Sequence, residues 1–160
     1  MILSNSQFGF RRKHSCELPL ILATEFIHKA LDEGDHVVAV FLDLRKAFDV
    51  VSHQILIGKV SHYGIRGLPS QWLESYLTER SQTVKISDCS SSSQTITHGV
   101  PQGSVLGPLL FLIYVNDLKI HHPDFAKIFL FADDTTLLVR HSNPGTLVEI
   151  VNSELRQLCQ

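Results

Sequence analysis

Two short apolar runs, Lys127 to Ala132 and Thr135 to Arg140, are separated only by Asp133-Asp134. Runs of this length split by two turn-forming residues predict an antiparallel hairpin. An isolated hairpin is marginal in water and needs further strands or a covering helix, so the rest of the chain has to be arranged around this one. Its tip is also costly. A lone Asp-Asp in a turn is ordinarily a solvated loop tip, but here the apolar flanks bring two like charges to the end of a tight hairpin, where they repel unless a cation sits between them.

The remaining elements follow from periodicity. Val37 to Leu42 is an apolar run bounded by Gly34-Asp35 and the charged stretch from Asp43 to Lys46; it reads as a strand buried on both faces, with Asp43 at its carboxyl end. Leu18, Ile21, Leu22, Phe26, Ala30 and Leu31 form a helical stripe that should end near Gly34. Helices are also predicted from about Ser52 to His62, and from Pro69 to Glu79 with Trp72, Leu73, Tyr76 and Leu77 as the apolar face. Gln82 to Ser87 and Gln94 to His98 read as a second hairpin around Asp88-Cys89 and Ser90 to Ser93. Gly99 to Gly103 is a turn-rich loop before an apolar helix from about Val105 to Leu118. The last segment opens with Asn143-Pro144 and carries Leu147, Ile150, Val151, Leu155 and Leu158 at helical spacing. No repeat, linker or second domain is visible, and mixed helices and antiparallel hairpins make the class α+β.

Composition narrows the function. The 160 residues are 44% hydrophobic and 19% charged, which excludes disordered, collagen-like and coiled-coil classes. The longest apolar run, Val105 to Val115, is interrupted by Gly107 and Pro108 and falls well short of the roughly 20 residues of a membrane helix. No signal-peptide pattern stands at the N-terminus, so an intracellular protein is expected. Cys16, Cys89 and Cys159 include no Cys-x-x-Cys pair, which argues against a disulfide framework and a thiolate zinc site. The formal charge of −2 lacks the basic surplus that usually accompanies a grip on phosphates; the one basic cluster is Arg11, Arg12 and Lys13. On charge alone, nucleic acid is a poor expectation.

Other chemistries fail on spacing. The nine histidines include no His-x-His or His-x-x-x-His pair, there is no phosphate loop ending in Gly-Lys-Ser/Thr, and Ser104 has no glycine two residues before it. What survives is acidic. If the strand ending at Asp43 and the hairpin tipped by Asp133-Asp134 share a sheet, three carboxylates converge at one edge. Hard oxygen ligands of this kind suit Mg²⁺ or Mn²⁺, and two such ions about 4 Å apart are the working parts of in-line phosphoryl transfer.

At this point the residues resemble a known family. Phe41-Leu42-Asp43-Leu44-Arg45-Lys46-Ala47-Phe48-Asp49, then Gly99-Val100-Pro101-Gln102-Gly103-Ser104-Val105-Leu106-Gly107-Pro108, then Phe131-Ala132-Asp133-Asp134 are similar to three central motifs of reverse transcriptases, in family order. Gln7-Phe8-Gly9-Phe10-Arg11 and the segment from His62-Tyr63-Gly64 through Trp72 to Tyr76-Leu77 resemble the non-LTR (LINE-like) retrotransposon branch. The resemblance implies a right-hand polymerase fold: a fingers element over about residues 7–36, a ferredoxin-like antiparallel palm backed by helices over about 37–142, and the start of the next palm helix over 143–160. It implies that Asp43, Asp133 and Asp134 are catalytic and hold two Mg²⁺ or Mn²⁺ ions, with the Leu44 carbonyl as a backbone ligand.

The resemblance also assigns the nucleotide contacts. Phe48 matches the ring that excludes a ribose 2′-hydroxyl, although a lone Phe in such a position is ordinarily core. Gln102 and Gly103 match residues beside the incoming nucleotide. Arg11 matches a residue that holds the triphosphate, with Arg12 and Lys13 as possible further phosphate contacts. The implied partners are an RNA template, a DNA primer and a deoxynucleoside triphosphate. Further fingers sequence, thumb, primer grip and endonuclease motifs of the family are not recognisable. The chain is therefore expected to be a piece of a larger enzyme, weak or inactive alone, and the missing basic surplus is expected to lie in the other parts. Two alternatives stand beside this expectation: a non-enzymatic remnant of a retroelement, and an RNA-dependent RNA polymerase, which Phe48 and Pro101-Gln102-Gly103 disfavour.

Overall fold

The computed structural model describes residues 3–159. In chain order, helix α1 (Glu17–Asp32) precedes strand β1 (His36–Asp43), and helices α2 (His53–His62) and α3 (Leu68–Leu77) follow. Four two-residue strands come next, β2 (Ser81–Gln82), β3 (Lys85–Ile86), β4 (Cys89–Ser90) and β5 (Gln94–Thr95), then helix α4 (Leu106–Tyr114). The chain ends with β6 (Ala126–Phe131), β7 (Asp134–His141) and helix α5 (Pro144–Leu158). These elements divide into two compact units, Leu3–Arg45 with Asn116–Gln160, and Lys46–Val115. No shift in composition marks either crossing, which is why the sequence reads as one unit.

The first unit is built on an antiparallel sheet in the order β1-β7-β6. One face carries Val38 and Val40 of β1, Ala126 of β6 and Leu137 and Val139 of β7, and packs on Leu147, Ile150, Val151, Leu155 and Leu158 of α5. The opposite face presents Phe129 and Leu138 to Phe8 and to Ala23, Phe26 and Ile27 of α1. One cap and one buried anchor fix α5. Asn143 Oδ1 accepts from the backbone of Gly145 and Thr146 at its start, and Glu154, inside the helix and fully buried, accepts from His121 N, His122 N and His122 Nδ1 within 2.7–2.9 Å. A buried carboxylate left without such donors would cost several kcal/mol on the scale of ~3–5 for a broken buried pair.

Two expectations for this unit are corrected. β1 is an edge strand, not one buried on both faces: its alternation of half-buried and exposed residues leaves Phe41 77% exposed, because α1 covers only part of that face. The buried stripe of α1 is also rotated. Ala23, Phe26, Ile27 and Ala30 face the sheet, whereas Leu18, Ile21, Leu22 and Leu31 are exposed. A helix of mean apolar character on most sides has no unique stripe in sequence, and the sheet selects the one with small residues for close approach.

In the second unit, α2 packs against α3 and α4 through Leu56, Val60, Leu73, Leu77 and the nearly all-apolar α4. Of the apolar face expected for α3, Leu73 and Leu77 are buried, while Trp72 stacks on Tyr76 at the surface. α4 ends at Tyr114 rather than near Leu118, with Val115 closing its last turn. The expected second hairpin is present but interrupted: β2 pairs with β5 and β3 with β4, all four exposed. Without an apolar layer on either face, only short ladders form. Among the described residues no helix is long and apolar enough to cross a membrane.

Candidate active site

The register of the first unit decides where its carboxylates lie. β1 and β7 pair so that Asp43 faces Asp134 directly, and β6 and β7 pair so that Phe131 faces Asp134. The hairpin loop is therefore Ala132-Asp133. The turn sits one residue earlier than the apolar runs suggest, and Asp134 belongs to a strand while Asp133 stands at the tip. Strand parity puts Asp43, Asp134, Phe41 and Phe131 on one face of the sheet, at the end of a depression of about 280 Å³ lined by Phe41, Asp43, Asp134 and Thr136.

Like charges directly opposite across a ladder destabilise it, by about 0.2–1 kcal/mol for such cross-strand pairs. Asp43 and Asp134 are exposed and Asp133 half-buried, and among the described residues no lysine or arginine forms an ion pair with any of the three. Asp43 and Asp134, paired at one sheet end with Asp133 in the adjoining turn, offer oxygen donors of the kind that suit a hard divalent ion such as Mg²⁺ or Mn²⁺. The protein side chains alone do not complete a cage. Among the described residues no group of three His, Cys, Asp or Glu side chains is placed to hold an ion; Mg²⁺ ordinarily takes few carboxylates and completes its shell with water and phosphate. Leu44, whose carbonyl the resemblance adds, leaves β1 immediately after Asp43 and is exposed.

The hairpin tip is held from behind. Ala132 has φ +58°, whereas Asp133 does not have positive φ, the pattern of a type II′ turn whose first loop position normally takes glycine. The segment Gln7-Phe8-Gly9 lies against it. Phe8 N donates to Leu130 O at 2.8 Å and Leu130 N to Ser6 O at 2.8 Å, in a parallel bridge that covers the free edge of β6. Gln7, 2% exposed, accepts at Oε1 from Gly9 N (2.8 Å) and Ala132 N (3.0 Å), and its Nε2 donates to Ala132 O at 3.5 Å. A neutral hydrogen bond of this kind contributes about 0.5–1.5 kcal/mol net, and more is lost when a buried partner is orphaned. A Cβ on Gly9 would come within 2.3 Å of Ala132 N, so no other residue fits there without displacing the turn. Sequence reasoning used this segment only as a marker of resemblance; a polar residue flanked by Phe and Gly gives no periodic signal of burial.

Arg11 is placed near the same segment. Its Nη1 donates to Ser4 O (2.7 Å) and Gln7 O (2.9 Å), which braces the loop. Arg12 and Lys13 are exposed.

The second unit brings together residues far apart in sequence. Gly99 N donates to Val51 O and Val100 N to Phe48 O, each at 2.8 Å, and His53 Nε2 donates to Gly99 O at 2.7 Å. Gly99 has φ +89°, and a Cβ there would meet Asp49 O at 2.9 Å. This stitching sets the loop that carries Gln102 beside the segment that carries Phe48. Gln102 Nε2 donates to Asp49 Oδ1 at 2.7 Å, at a cavity of about 460 Å³ lined by Asp49, Arg80, Gln82, His98, Pro101 and Gln102. Asp49 and His53 were not singled out by sequence, because their roles exist only once this loop docks. Phe48 is half-buried and stacks on Phe111 with ring centroids 4.5 Å apart. Gly103 has φ +75° and open space around it. Ser104 Oγ donates to Pro101 O and accepts from Gly107 N, so it secures the start of α4.

Comparison with known proteins bears on the fold and the family. The family described as reverse transcriptase (RNA-dependent DNA polymerase) matches residues 1–159. The probable RNA-directed DNA polymerase from transposon BS of Drosophila melanogaster is 39% identical over 149 residues, covering 86% of this chain and 16% of that protein. The RNA-directed DNA polymerase from mobile element jockey of the same organism is 36% identical over 143 residues, covering 84% and 15%. The chain thus spans about one sixth of the length of these relatives. Among solved structures, apo telomerase from Candida tropicalis, truncated from its C-terminal domain, superposes with a TM-score of 0.68 at 13% identity, covering 94% of this chain and 32% of that one. Telomerase from the same organism in complex with a TWJ fragment of telomeric RNA gives 0.67 at 12% identity, covering 92% and 27%. These two likenesses carry the fold, an α+β polymerase fingers-and-palm arrangement; with the family match over residues 1–159 and the mobile-element relatives, the chain belongs to the reverse transcriptase family, in its non-LTR retrotransposon branch.

Proposed function

We propose that this chain carries the nucleotidyl-transfer centre of an RNA-directed DNA polymerase, with about residues 7–36 as a fingers element, 37–142 as the palm core and 143–160 as the start of the following palm helix. The observation that carries the reading is the register that sets Asp43 opposite Asp134 with Asp133 in the adjoining turn, three carboxylates with no counter-cation among the described residues. Asp43, Asp133, Asp134 and the Leu44 carbonyl would hold two Mg²⁺ or Mn²⁺ ions, which when bound supply an activated primer hydroxyl and a stabilised pyrophosphate leaving group. The chain's own residues do the rest by position. The carboxylates would act as ligands, not as acid and base, and fix the ions against which the 3′-hydroxyl and the triphosphate of a deoxynucleotide align.

Phe48 stacks on Phe111 and so has a fixed rather than a yielding ring, as a filter against a 2′-hydroxyl requires. Gln102 and Gly103 lie on a loop whose glycines let backbone approach base and sugar closely, and Asp49 orients the Gln102 amide. Arg11 contributes a guanidinium for the triphosphate, with Arg12 and Lys13 as further cations. The template is RNA and the primer DNA, which places the work inside the cell, where these substrates are.

The test is Mn²⁺ binding by the 160-residue chain together with primer extension on an RNA template. Wild type binds Mn²⁺ and is stabilised further by a deoxynucleoside triphosphate; Asp43→Asn and Asp133→Asn lose both effects and whatever extension the chain supports. A wild type indifferent to Mn²⁺ overturns the reading. Phe48→Ala is expected to gain ribonucleotide incorporation, and a wild type that uses ribonucleotides equally well sinks the role given to Phe48.

A further inference from the structure

We propose that Gln7 is a positioning residue for the metal site: it sets the direction of Asp133 by fixing both peptide planes that flank Ala132. The inference rests on the reading of Asp133 as a metal ligand, and the geometry that carries it is independent of that reading. Ala132 N belongs to the peptide before its Cα and Ala132 O to the peptide after it. Because each peptide is planar, the orientation of the two planes is the whole conformation of Ala132. The one Gln7 carboxamide touches both, accepting from Ala132 N at 3.0 Å and reaching Ala132 O with its amide nitrogen in a long contact of 3.5 Å. Asp133 follows directly, so the planes on either side of Ala132 set where the Asp133 backbone begins.

Three further observations show that the clamp answers a need. Ala132 adopts φ +58°, a conformation a residue with a Cβ leaves readily unless it is over-determined by its surroundings. The carboxamide is buried, and an apolar side chain of equal volume would fill the space but leave the N–H groups of Gly9 and Ala132 without their acceptor. Finally, Gly9 lets the backbone approach Ala132 N so closely that a Cβ would stand at 2.3 Å, while the same Oε1 accepts from Gly9 N. Gln7 therefore reads the turn and the backing strand at once. A residue needed only for packing would have no reason to bond both sides of a single strained Cα.

The test uses the 160-residue chain and the variants Gln7→Met, Ala132→Gly, Gln7→Met/Ala132→Gly and Asp133→Asn, with Mn²⁺ affinity read from the electron paramagnetic resonance of the free ion and stability from thermal melts. Methionine keeps the unbranched shape and removes all three bonds, the two to Ala132 and the one from Gly9 N. Gln7→Met is expected to weaken Mn²⁺ binding at least 10-fold while still melting cooperatively. Pairing it with Ala132→Gly, which adopts positive φ without strain, is expected to recover most of that loss. A purely structural role predicts a lower melting temperature with unchanged Mn²⁺ affinity, and that result overturns the proposal.

The two readings fail separately. Wild-type binding that Asp133→Asn abolishes and Gln7→Met leaves intact removes the positioning role alone, whereas a wild type that binds no Mn²⁺ removes the metal reading and the positioning role with it. Should Gln7→Met not fold, amide exchange of Ala132 in the wild type decides: protection of at least 100-fold over an unstructured amide supports the clamp, and exchange at the unstructured rate overturns it.

Discussion

The molecule contains the same turn twice. Ser87-Asp88 joins β3 to β4 and Ala132-Asp133 joins β6 to β7; in each, the first loop residue has positive φ, +54° at Ser87 and +58° at Ala132, and the second is an aspartate. Their surroundings differ completely. Strands β2 to β5 are two residues each and exposed throughout, so Asp88 stands on a hairpin with no core beneath it. β6 and β7 are six and eight residues long, packed on both faces, with Gln7 and Gly9 behind the loop. A turn alone makes a loop tip. A turn on a buried ladder with its backbone held makes a place where a charge can be aimed.

The comparison breaks most sharply on metal. Asp133→Asn should weaken Mn²⁺ binding by more than the roughly 10–100-fold that loss of an outer-sphere partner costs, while Asp88→Asn leaves it unchanged; equal effects in a Mn²⁺ titration would erase the distinction. Next comes the foundation. Leu130→Ala, at a fully buried site, is expected to cost about 2–5 kcal/mol, and Ile86→Ala, exposed on the other hairpin, less than about 0.5 kcal/mol, both read from urea midpoints. Gly9→Ala should cost about 1–3 kcal/mol through overpacking against Ala132; a neutral result would mean that the backing strand yields. The smallest effect sharpens the likeness. Ala132→Gly and Ser87→Gly relieve the same φ at about 1–2 kcal/mol, less about 0.4–1 kcal/mol of added chain entropy, and the two gains in denaturation free energy should agree within about 0.5 kcal/mol.

What the sequence disclosed depended on how local the cause was. The β6–β7 hairpin, the helix beginning at Asn143 and the strand ending at Asp43 were legible because each is written in consecutive residues with a clear period. The burial of β1 was not, since whether Phe41 meets a helix or solvent depends on how far α1 reaches. The turn position moved by one because an apolar Ala132 looks like the end of a strand, and only the pairing of Phe131 with Asp134 makes it a loop residue. Resemblance named the three carboxylates, Phe48 and Gln102. It did not find Gln7, Asp49 or His53 as side chains with tasks, because their partners, Ala132, Gln102 and Gly99, lie 125, 53 and 46 positions away.

The pairing of β1 with β7 also limits how the gene can change. Strand side chains alternate with a period of two, so deleting or inserting a single codon between Val40 and Asp43 would carry Asp43 to the α5 side if Val38 and Val40 keep their places, or turn Val38 and Val40 to the α1 side if Asp43 keeps its own. The run Ser90 to Ser93 faces no such parity rule, since its neighbours are exposed on either face. Length variation among related copies should therefore gather there and be purged from the eight residues that lead to Asp43.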